Sequence, residues 1–279
     1  MNPCSLCPHR CGVNRLAGQT GKCRTAIEFS IASHTLHFGE EPVISGTHGS
    51  GTIFFSHCTL SCAFCQNYPI SQLGNGNPVS IDGLAALMLE LQKKGAHNIN
   101  FVTPTHVTPQ IVEAVAQARA QGLTVPLVYN CSGYEEVETL QLLEGIIDIY
   151  LPDAKYSNDA HAVEFSGAEH YMESNRKALK EMYRQVGNLV TDENDIAVKG
   201  LIIRHLVLPN DLAGSKEVLE FIAEELSPDI ALSLMAQYHP AHRIEQFPEL
   251  SRRINKREYQ SVLKIARKLN LENGWKQEL

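Results

Sequence analysis

The chain has 279 residues, of which 43% are hydrophobic and 20% charged, a composition typical of a globular core and unlike that of a disordered or fibrous protein. Its formal net charge of −7 argues against a broad polyanion-binding surface, so we predict no nucleic-acid partner. No apolar run approaches the roughly 18 residues of a transmembrane helix, and the N-terminus lacks the apolar core of a signal peptide. We therefore expect a cytoplasmic protein without a membrane partner.

The first 50 residues are predicted to form a cysteine-rich extension. Residues 1–26 contain four cysteines and little periodicity, which favours a loop held by a metal. Residues 27–45 alternate weakly between apolar and polar, which predicts one or two short strands. Glu40 and Glu41 in this stretch are most simply solvated loop carboxylates.

Residues 51–279 are predicted to form one barrel domain, because apolar strands alternate with amphipathic helices. Ser80 is expected to cap a helix in which apolar side chains recur at i, i+3, i+4 and i+7. Thr108 and Pro109 are expected to be the N-cap and first residue of the next helix. The six predicted strands are 53–56, 99–102, 125–129, 146–151, 201–208 and 230–235.

Six strand–helix alternations predict an α/β fold with a parallel sheet that is buried on both faces. A full barrel of this type needs eight units, so we expect a partial (β/α)6 barrel and keep a doubly wound sheet as the alternative. In both architectures the functional side chains gather at the carboxyl ends of the strands.

A C-x3-C-x2-C motif, made by Cys58, Cys62 and Cys65, follows the first of these strands directly. In a reducing compartment, closely spaced cysteines indicate metal binding more often than disulfides. Three thiolates on one loop can hold three irons of a [4Fe–4S] cluster and leave the fourth iron open to a small molecule. Structural zinc would need a fourth ligand, which the adjacent His57 could supply only with awkward geometry.

The motif, with Phe64 before its third cysteine, resembles the signature of radical S-adenosylmethionine enzymes. Over most of residues 38–242 the chain is most similar to the branch of pyruvate formate-lyase activating enzymes and their relatives. The segments that carry this resemblance occur in the family's order: FGEEPVISGTHGSGTIFFSHC, CAFCQN, NCSGYE, LPDAKY, IRHLVLPN and QYHP.

This resemblance implies a radical-SAM-type barrel, a [4Fe–4S] cluster and S-adenosylmethionine. Phe64 and Gln66 would lie near the adenine, and Asp153 and Lys155 near the sulfonium and the substrate. The remaining side chains implied at this face are Asn130, Ser132, Arg204 and His239.

The chain departs from the family at the second strand, where Gly-Gly-Glu usually binds the amino group of the cosubstrate. The strand reads NINFVTPTH here, and the polar groups available at its end are Thr103, Thr105 and His106. We expect Thr103 to contribute to the cosubstrate site. Cys131, outside both cysteine groups, is expected to be a small buried packing residue.

The N-terminal cysteines Cys4, Cys7, Cys11 and Cys23 have the spacing C-x2-C-x3-C-x11-C. Four thiolates can close a tetrahedral zinc site, and they can equally ligate every iron of a second cluster that relays electrons. A reduced segment without metal is the third possibility.

The function predicted from the sequence is reductive cleavage of S-adenosylmethionine to a 5′-deoxyadenosyl radical that takes a hydrogen atom from a substrate. The resemblance implies activation of a glycyl radical enzyme, with a flavodoxin or ferredoxin as electron donor. Modification of a small molecule or another peptide is one alternative. A non-catalytic iron–sulfur or zinc sensor or scaffold is the alternative from another class.

Overall fold

A computed structural model describes residues 1–279 of the protein. The centre of the fold is a ten-stranded sheet. The strands are β1 Phe29–His37, β2 Ser50–Phe55, β3 Asn77–Val79, β4 Ile99–Val102, β5 Leu127–Cys131, β6 Ile149–Pro152, β7 Val190–Thr191, β8 Ala197–Leu206, β9 Ala231–Met235 and β10 Gly274–Lys276. The helices are α1 Pro42–Ser45, α2 Tyr68–Ser71, α3 Ile81–Lys93, α4 Thr108–Ala120, α5 Val137–Gln141, α6 Asp159–Ser166, α7 Tyr171–Val186, α8 Ser215–Glu225 and α9 Lys256–Lys268.

The strand order is β10-β9-β8-β6-β5-β4-β2-β1-β3, with β7 paired to β8 outside this path. The strands from β2 through β4, β5, β6 and β8 to β9 are parallel neighbours, while β1 is antiparallel to β2. Strands β3 and β10 end the sheet and do not pair with each other. The six predicted strand–helix units are therefore confirmed, and they form a partial barrel.

Local sequence explains where the long helices begin. The Ser80 hydroxyl accepts a hydrogen bond from the Gly83 amide over 3.0 Å and caps α3 as predicted. The prediction for α4 was wrong by one residue, since Thr108 is the first helical residue and Val107 is the N-cap. The reason is the 3₁₀ turn at Thr105–Val107, which leads straight into the helix and leaves no extended residue at Thr108.

The two faces of the sheet pack against different partners. One face packs on the helices and forms the main hydrophobic core, and the other lines the inside of the barrel. Ile44 of α1 is fully buried in this inner layer, among Val128, Ile149, Ile202 and others. Because β1 runs antiparallel to β2, α1 lies at the amino ends of the parallel strands and closes that end of the barrel.

The predicted N-terminal extension contributes to the main sheet, because β1 pairs with β2 from Ile31 to His37. The division at residue 50 stays a prediction. None of the helices combines the length and apolar character needed to cross a lipid bilayer.

Candidate functional site

The three central cysteines lie on the loop directly after β2, at the carboxyl end of the barrel strands, and all are free thiols. Each sulfur has a hydrogen-bonding group beside it. The Leu60 amide donates to Cys58 Sγ over 3.3 Å, the Ser166 hydroxyl donates to Cys62 Sγ over 3.0 Å, and Ser71 Oγ lies 3.1 Å from Cys65 Sγ. Hydrogen bonds to sulfur are one means by which proteins tune iron–sulfur clusters.

Burial sets the protonation of these thiols. It raises the pKa of Cys58 to about 12, and the neighbouring Cys62 adds to the rise. Burial also raises the pKa of Cys62, although the nearby Lys155 ammonium opposes the rise. Without a metal, Cys58 and Cys62 therefore keep their protons at neutral pH, and metal binding has to displace them.

No group of three or more His, Cys, Asp and Glu side chains is arranged to coordinate a single metal ion. An iron–sulfur cluster needs a different arrangement of ligands. Each thiolate binds a separate iron, so the cysteine sulfurs lie further apart than those around a single ion. Three free thiols on one loop, with a hydrogen-bonding group at each sulfur, form a donor set that fits a [4Fe–4S] cluster with one open iron.

A charged network lies next to this loop, at the ends of β6 and β8. Asp153 Oδ2 is 2.5 Å from Lys155 Nζ, and Asp153 Oδ1 is 3.0 Å from Arg204 Nε. Burial alone would raise the pKa of Asp153, but the Arg204 and Lys155 cations outweigh it and hold that pKa below its usual value. The predicted Asp153, Lys155 and Arg204 thus form one ionised group, with Lys155 close to the central thiols.

The two terminal nitrogens of Arg204 contact side chains inside the barrel, towards the amino ends of its strands. Its Nη2 donates to Asn130 Oδ1 over 2.6 Å, and its Nη1 is 3.4 Å from Glu40 Oε2. Glu40 enters the barrel from the segment before α1, and its side chain is only 11% exposed. The expectation that Glu40 and Glu41 are solvated was therefore wrong, because the closing segment carries both carboxylates inside the barrel.

Two residues of α7 fix the ends of β5 and β6. Asn175 Nδ2 donates to Gly133 O and to Asp153 O, both over 3.0 Å, and the Tyr171 hydroxyl donates to Ser132 O over 3.0 Å. A Cβ on Gly133 would lie 2.1 Å from Asp153 O, so only glycine allows this approach. Sequence reasoning missed Tyr171 and Asn175, although an asparagine on the buried face of a helix is itself a signal of a buried polar contact.

The predicted adenine-binding side chains, Phe64 and Gln66, both contact the segment that follows β9. Phe64 is buried and packs edge to face against Tyr238, with ring centroids 5.7 Å apart. Gln66 Nε2 is 3.1 Å from His239 Nδ1, which joins the central loop to the end of β9. The structure thus brings Gln66 and His239 into contact across 173 residues of sequence.

Strand β4, the second strand of the predicted barrel, brings fewer polar side chains to the site than its sequence suggests. Thr103 follows β4 in a left-handed conformation, with φ of 59°, and its amide donates to Asn130 O over 2.9 Å. Thr105 instead donates to Glu135, and His106 Nε2 lies 2.8 Å from Ser56 O. Thr103 therefore remains the second-strand candidate, while the neighbouring Ser132 Oγ is buried without a hydrogen-bond partner.

The four N-terminal cysteines line one small cavity, together with side chains that include Arg15 and His106. Cys4, Cys7 and Cys23 are buried, and Cys11 is half-buried. The Lys22 amide donates to Cys11 Sγ over 3.4 Å. The sequence-predicted set of four is therefore gathered around a common space.

The N-terminal segment packs directly on the central loop. His9, between Cys7 and Cys11, places Nε2 2.8 Å from Thr59 O, next to Cys58. The Arg24 guanidinium donates to Ser71 O over 3.0 Å and to Gln72 O. The two cysteine groups are consequently joined by hydrogen bonds from one segment to the other.

Glu135 is a second buried carboxyl that sequence reasoning missed. The Thr105 hydroxyl donates to Glu135 Oε1 over 2.7 Å, and the Tyr129 hydroxyl lies 3.3 Å from Oε2. Burial raises the pKa of Glu135 to about 8, because these neutral hydroxyls only partly compensate for lost water. Glu135 is therefore mostly protonated at neutral pH.

No protein-family model matches the chain. The uncharacterized protein MJ0674 of Methanocaldococcus jannaschii is 31% identical over 276 residues, which cover 96% of this chain and 75% of that protein. The chain belongs to the family of MJ0674.

Solved structures resemble the chain in fold. The native anSMEcpe structure with bound AdoMet superposes with a TM-score of 0.50 at 9% identity, over 76% of this chain and 57% of that one. HydG, a maturase of the [FeFe]-hydrogenase, gives 0.49 at 12% identity, over 78% of this chain and 48% of its own. The chain thus spans about half the length of these structures. The α/β fold with a radical-SAM-type partial barrel, predicted from the sequence, is confirmed.

Proposed function

We propose that this protein is a radical S-adenosylmethionine enzyme. The observation that carries the proposal is the placement of Cys58, Cys62 and Cys65 on one loop at the carboxyl end of β2. The ionised network of Asp153, Lys155 and Arg204 lies at the ends of β6 and β8, and the Gln66–His239 contact joins the loop to the segment after β9. Three protein thiolates leave one iron of a [4Fe–4S] cluster for the cosubstrate.

When bound, the cluster supplies one electron that breaks the sulfur–C5′ bond of S-adenosylmethionine and yields methionine and a radical able to take a hydrogen atom. The chain contributes binding, orientation and exclusion of water. Cys58, Cys62 and Cys65 would hold the cluster. Phe64 and Gln66 would contact the adenine.

The charged network supplies fixed positions for polar groups of the bound molecules. Asp153 is held by two cations and stays ionised, so it can bind a cationic group such as a sulfonium or an ammonium. Arg204 is held by Asp153, Asn130 and Glu40, which fixes its guanidinium. These residues, with Ser132, Thr103 and His239, act by positioning and do not act as general acid or base.

Anaerobic reconstitution with iron and sulfide tests the activity. Wild-type protein with a strong reductant and S-adenosylmethionine is expected to form 5′-deoxyadenosine, measured by chromatography. The Cys58→Ala, Cys62→Ala, Cys65→Ala triple variant should form none. Cys131→Ser is the matched control, because Cys131 lies in β5 outside both cysteine groups and should retain activity. Equal product from wild type and triple variant would overturn the proposal.

We propose activation of a glycyl radical enzyme as the reaction. Support comes from the order of the motifs over residues 38–242, which resembles the activating enzymes. A reduced flavodoxin or ferredoxin is the proposed electron donor in the cell. Mixing the reconstituted protein with candidate glycyl radical enzymes of the host should generate a protein radical, seen by electron paramagnetic resonance. Formation of 5′-deoxyadenosine with no radical on any such partner would favour a small molecule or another peptide as substrate.

A further inference from the structure

The four N-terminal cysteines are among the residues that line one cavity of about 10 Å³, which has room for about one water molecule. A zinc ion lies about 2.3 Å from each of four thiolate sulfurs. A sphere with a radius of about 1.4 Å cannot fit between four sulfurs at that distance, since their own electron shells fill the centre.

The four sulfurs do not converge on one point. No three His, Cys, Asp or Glu side chains, the four cysteines among them, are positioned to coordinate a single ion. They nevertheless surround a common space, and three of the four are buried. Sulfurs that enclose a space without converging on one point suit an occupant of several atoms.

The surroundings of the cavity also indicate an occupant. His106 is 1% exposed and lines the cavity. Its Nε2 faces the Ser56 carbonyl, which can only accept a hydrogen bond, and its Nδ1 has no partner in the chain. A buried nitrogen without a partner is unfavourable unless a bound group lies beside it.

The lining of the same cavity includes a buried positive charge. Arg15 is 1% exposed, and its guanidinium donates to the carbonyls of Ala26 and His106. None of these hydrogen bonds is to a carboxylate, so the positive charge of Arg15 stays uncompensated beside Cys23. Four thiolates with a metal–sulfur core carry net negative charge, which a buried guanidinium stabilises.

We propose that Cys4, Cys7, Cys11 and Cys23 hold a second iron–sulfur cluster in which every iron has a protein ligand. Its coordination is closed, in contrast to that of the central loop. This inference concerns residues outside the proposed radical site, and it holds or fails independently of the activity.

The central triple variant isolates the N-terminal cluster. Purified without oxygen, the Cys58→Ala, Cys62→Ala, Cys65→Ala protein is expected to retain about four irons and four sulfides per chain and less than a tenth of a zinc. After reduction it should give the electron paramagnetic resonance signal of an iron–sulfur cluster. One zinc per chain without sulfide, or neither metal, would overturn the proposal.

A variant of the N-terminal cysteines provides a second test in case the central triple variant does not fold. Cys4→Ser with Cys11→Ser, in a chain with an intact central loop, should contain half the iron and sulfide of wild-type protein. Wild type itself should contain about eight irons. Iron equal to wild type in this variant would contradict the proposal. The failure of the radical proposal looks different, since 5′-deoxyadenosine would then be absent while the iron count is unchanged.

Discussion

The two cysteine groups of this protein lie side by side but have opposite surroundings. The central loop borders Lys155, Asp153 and Arg204, three ionised groups that contact one another. The N-terminal cysteines border Glu135 and His106, which stay neutral, and a single cation, Arg15, which binds only backbone carbonyls. The first surroundings suit polar molecules that come and go, and the second suit a permanent occupant.

This difference teaches that the number of cysteines alone does not define the role of a site. In the proposed radical site, three thiols leave a coordination position, and the adjacent fixed charges can bind an incoming molecule. In the proposed second cluster, four thiols would complete the coordination, and three of them are buried.

The largest expected effect is that of Arg204→Met. The substitution leaves Glu40 inside the barrel without its cation and removes one of the two cations that hold Asp153. A broken buried pair typically costs about 3–5 kcal/mol in the free energy of unfolding. Urea denaturation without oxygen measures the loss.

The matched control is Lys177→Met, which removes a cation whose pair with Glu173 lies at the surface, since both side chains are exposed. Its stability should be indistinguishable from that of wild type. Adding Glu40→Gln to Arg204→Met should recover part of the lost stability, because it removes one buried charge. An Arg204→Met protein as stable as the control would show that the network is not needed to hold the barrel together.

Glu135→Gln tests whether the buried carboxyl of Glu135 is protonated in the folded protein. The folded pKa of Glu135, about 8, is above its ordinary value of 4.5, so the folded protein holds a proton that the unfolded chain releases. This contribution is complete below pH 4.5 and is lost as pH rises through 8, by about 2 kcal/mol between pH 6 and pH 8.

Glutamine resembles the protonated carboxyl, so this part of the pH dependence should disappear in Glu135→Gln. Urea denaturation of both proteins at pH 6, 7 and 8 provides the comparison. Identical slopes of stability against pH in the two proteins would mean that Glu135 is ionised in the fold.

The smallest effect is expected at the contact between the two cysteine groups. His9→Ala removes the 2.8 Å hydrogen bond to Thr59 O and should destabilise the protein by about 1 kcal/mol. Lys22→Ala is the control, since it truncates an exposed side chain of the same segment that makes no side-chain hydrogen bond and should have no measurable effect. Thermal unfolding of the two variants in parallel separates them, and equal midpoints would show that His9 does not support the loop.

Much of the barrel could be predicted because local sequence specifies it. Strand β4 matches its predicted bounds, and the Ser80 cap begins α3 as the spacing indicates. The contact between Gln66 and His239 follows from the fold, since carboxyl ends of parallel strands meet at one face. The resemblance to a known family added the residue roles, which stay predictions.

The floor of the barrel could not be predicted in the same way. Glu40 reaches Arg204 because α1 is placed across the amino ends of the strands, and no local pattern in residues 38–45 encodes that placement. The buried Glu135 was also missed, because its neutral environment is built from Thr105 and Tyr129 on separate strands and loops. Tertiary contacts, more than periodicity, decide the state of such carboxyls.

The closing segment before α1 offers a route to altered specificity that leaves the rim of the barrel untouched. Its Glu40 touches Asn100, Asn130 and Arg204 from below. Residues 38–45, which comprise this segment and α1, therefore bring an acidic side chain into the lower interior, and none of them belongs to a strand. Variation in this short loop can tailor the barrel to molecules of different size and charge while the strands keep their sequence.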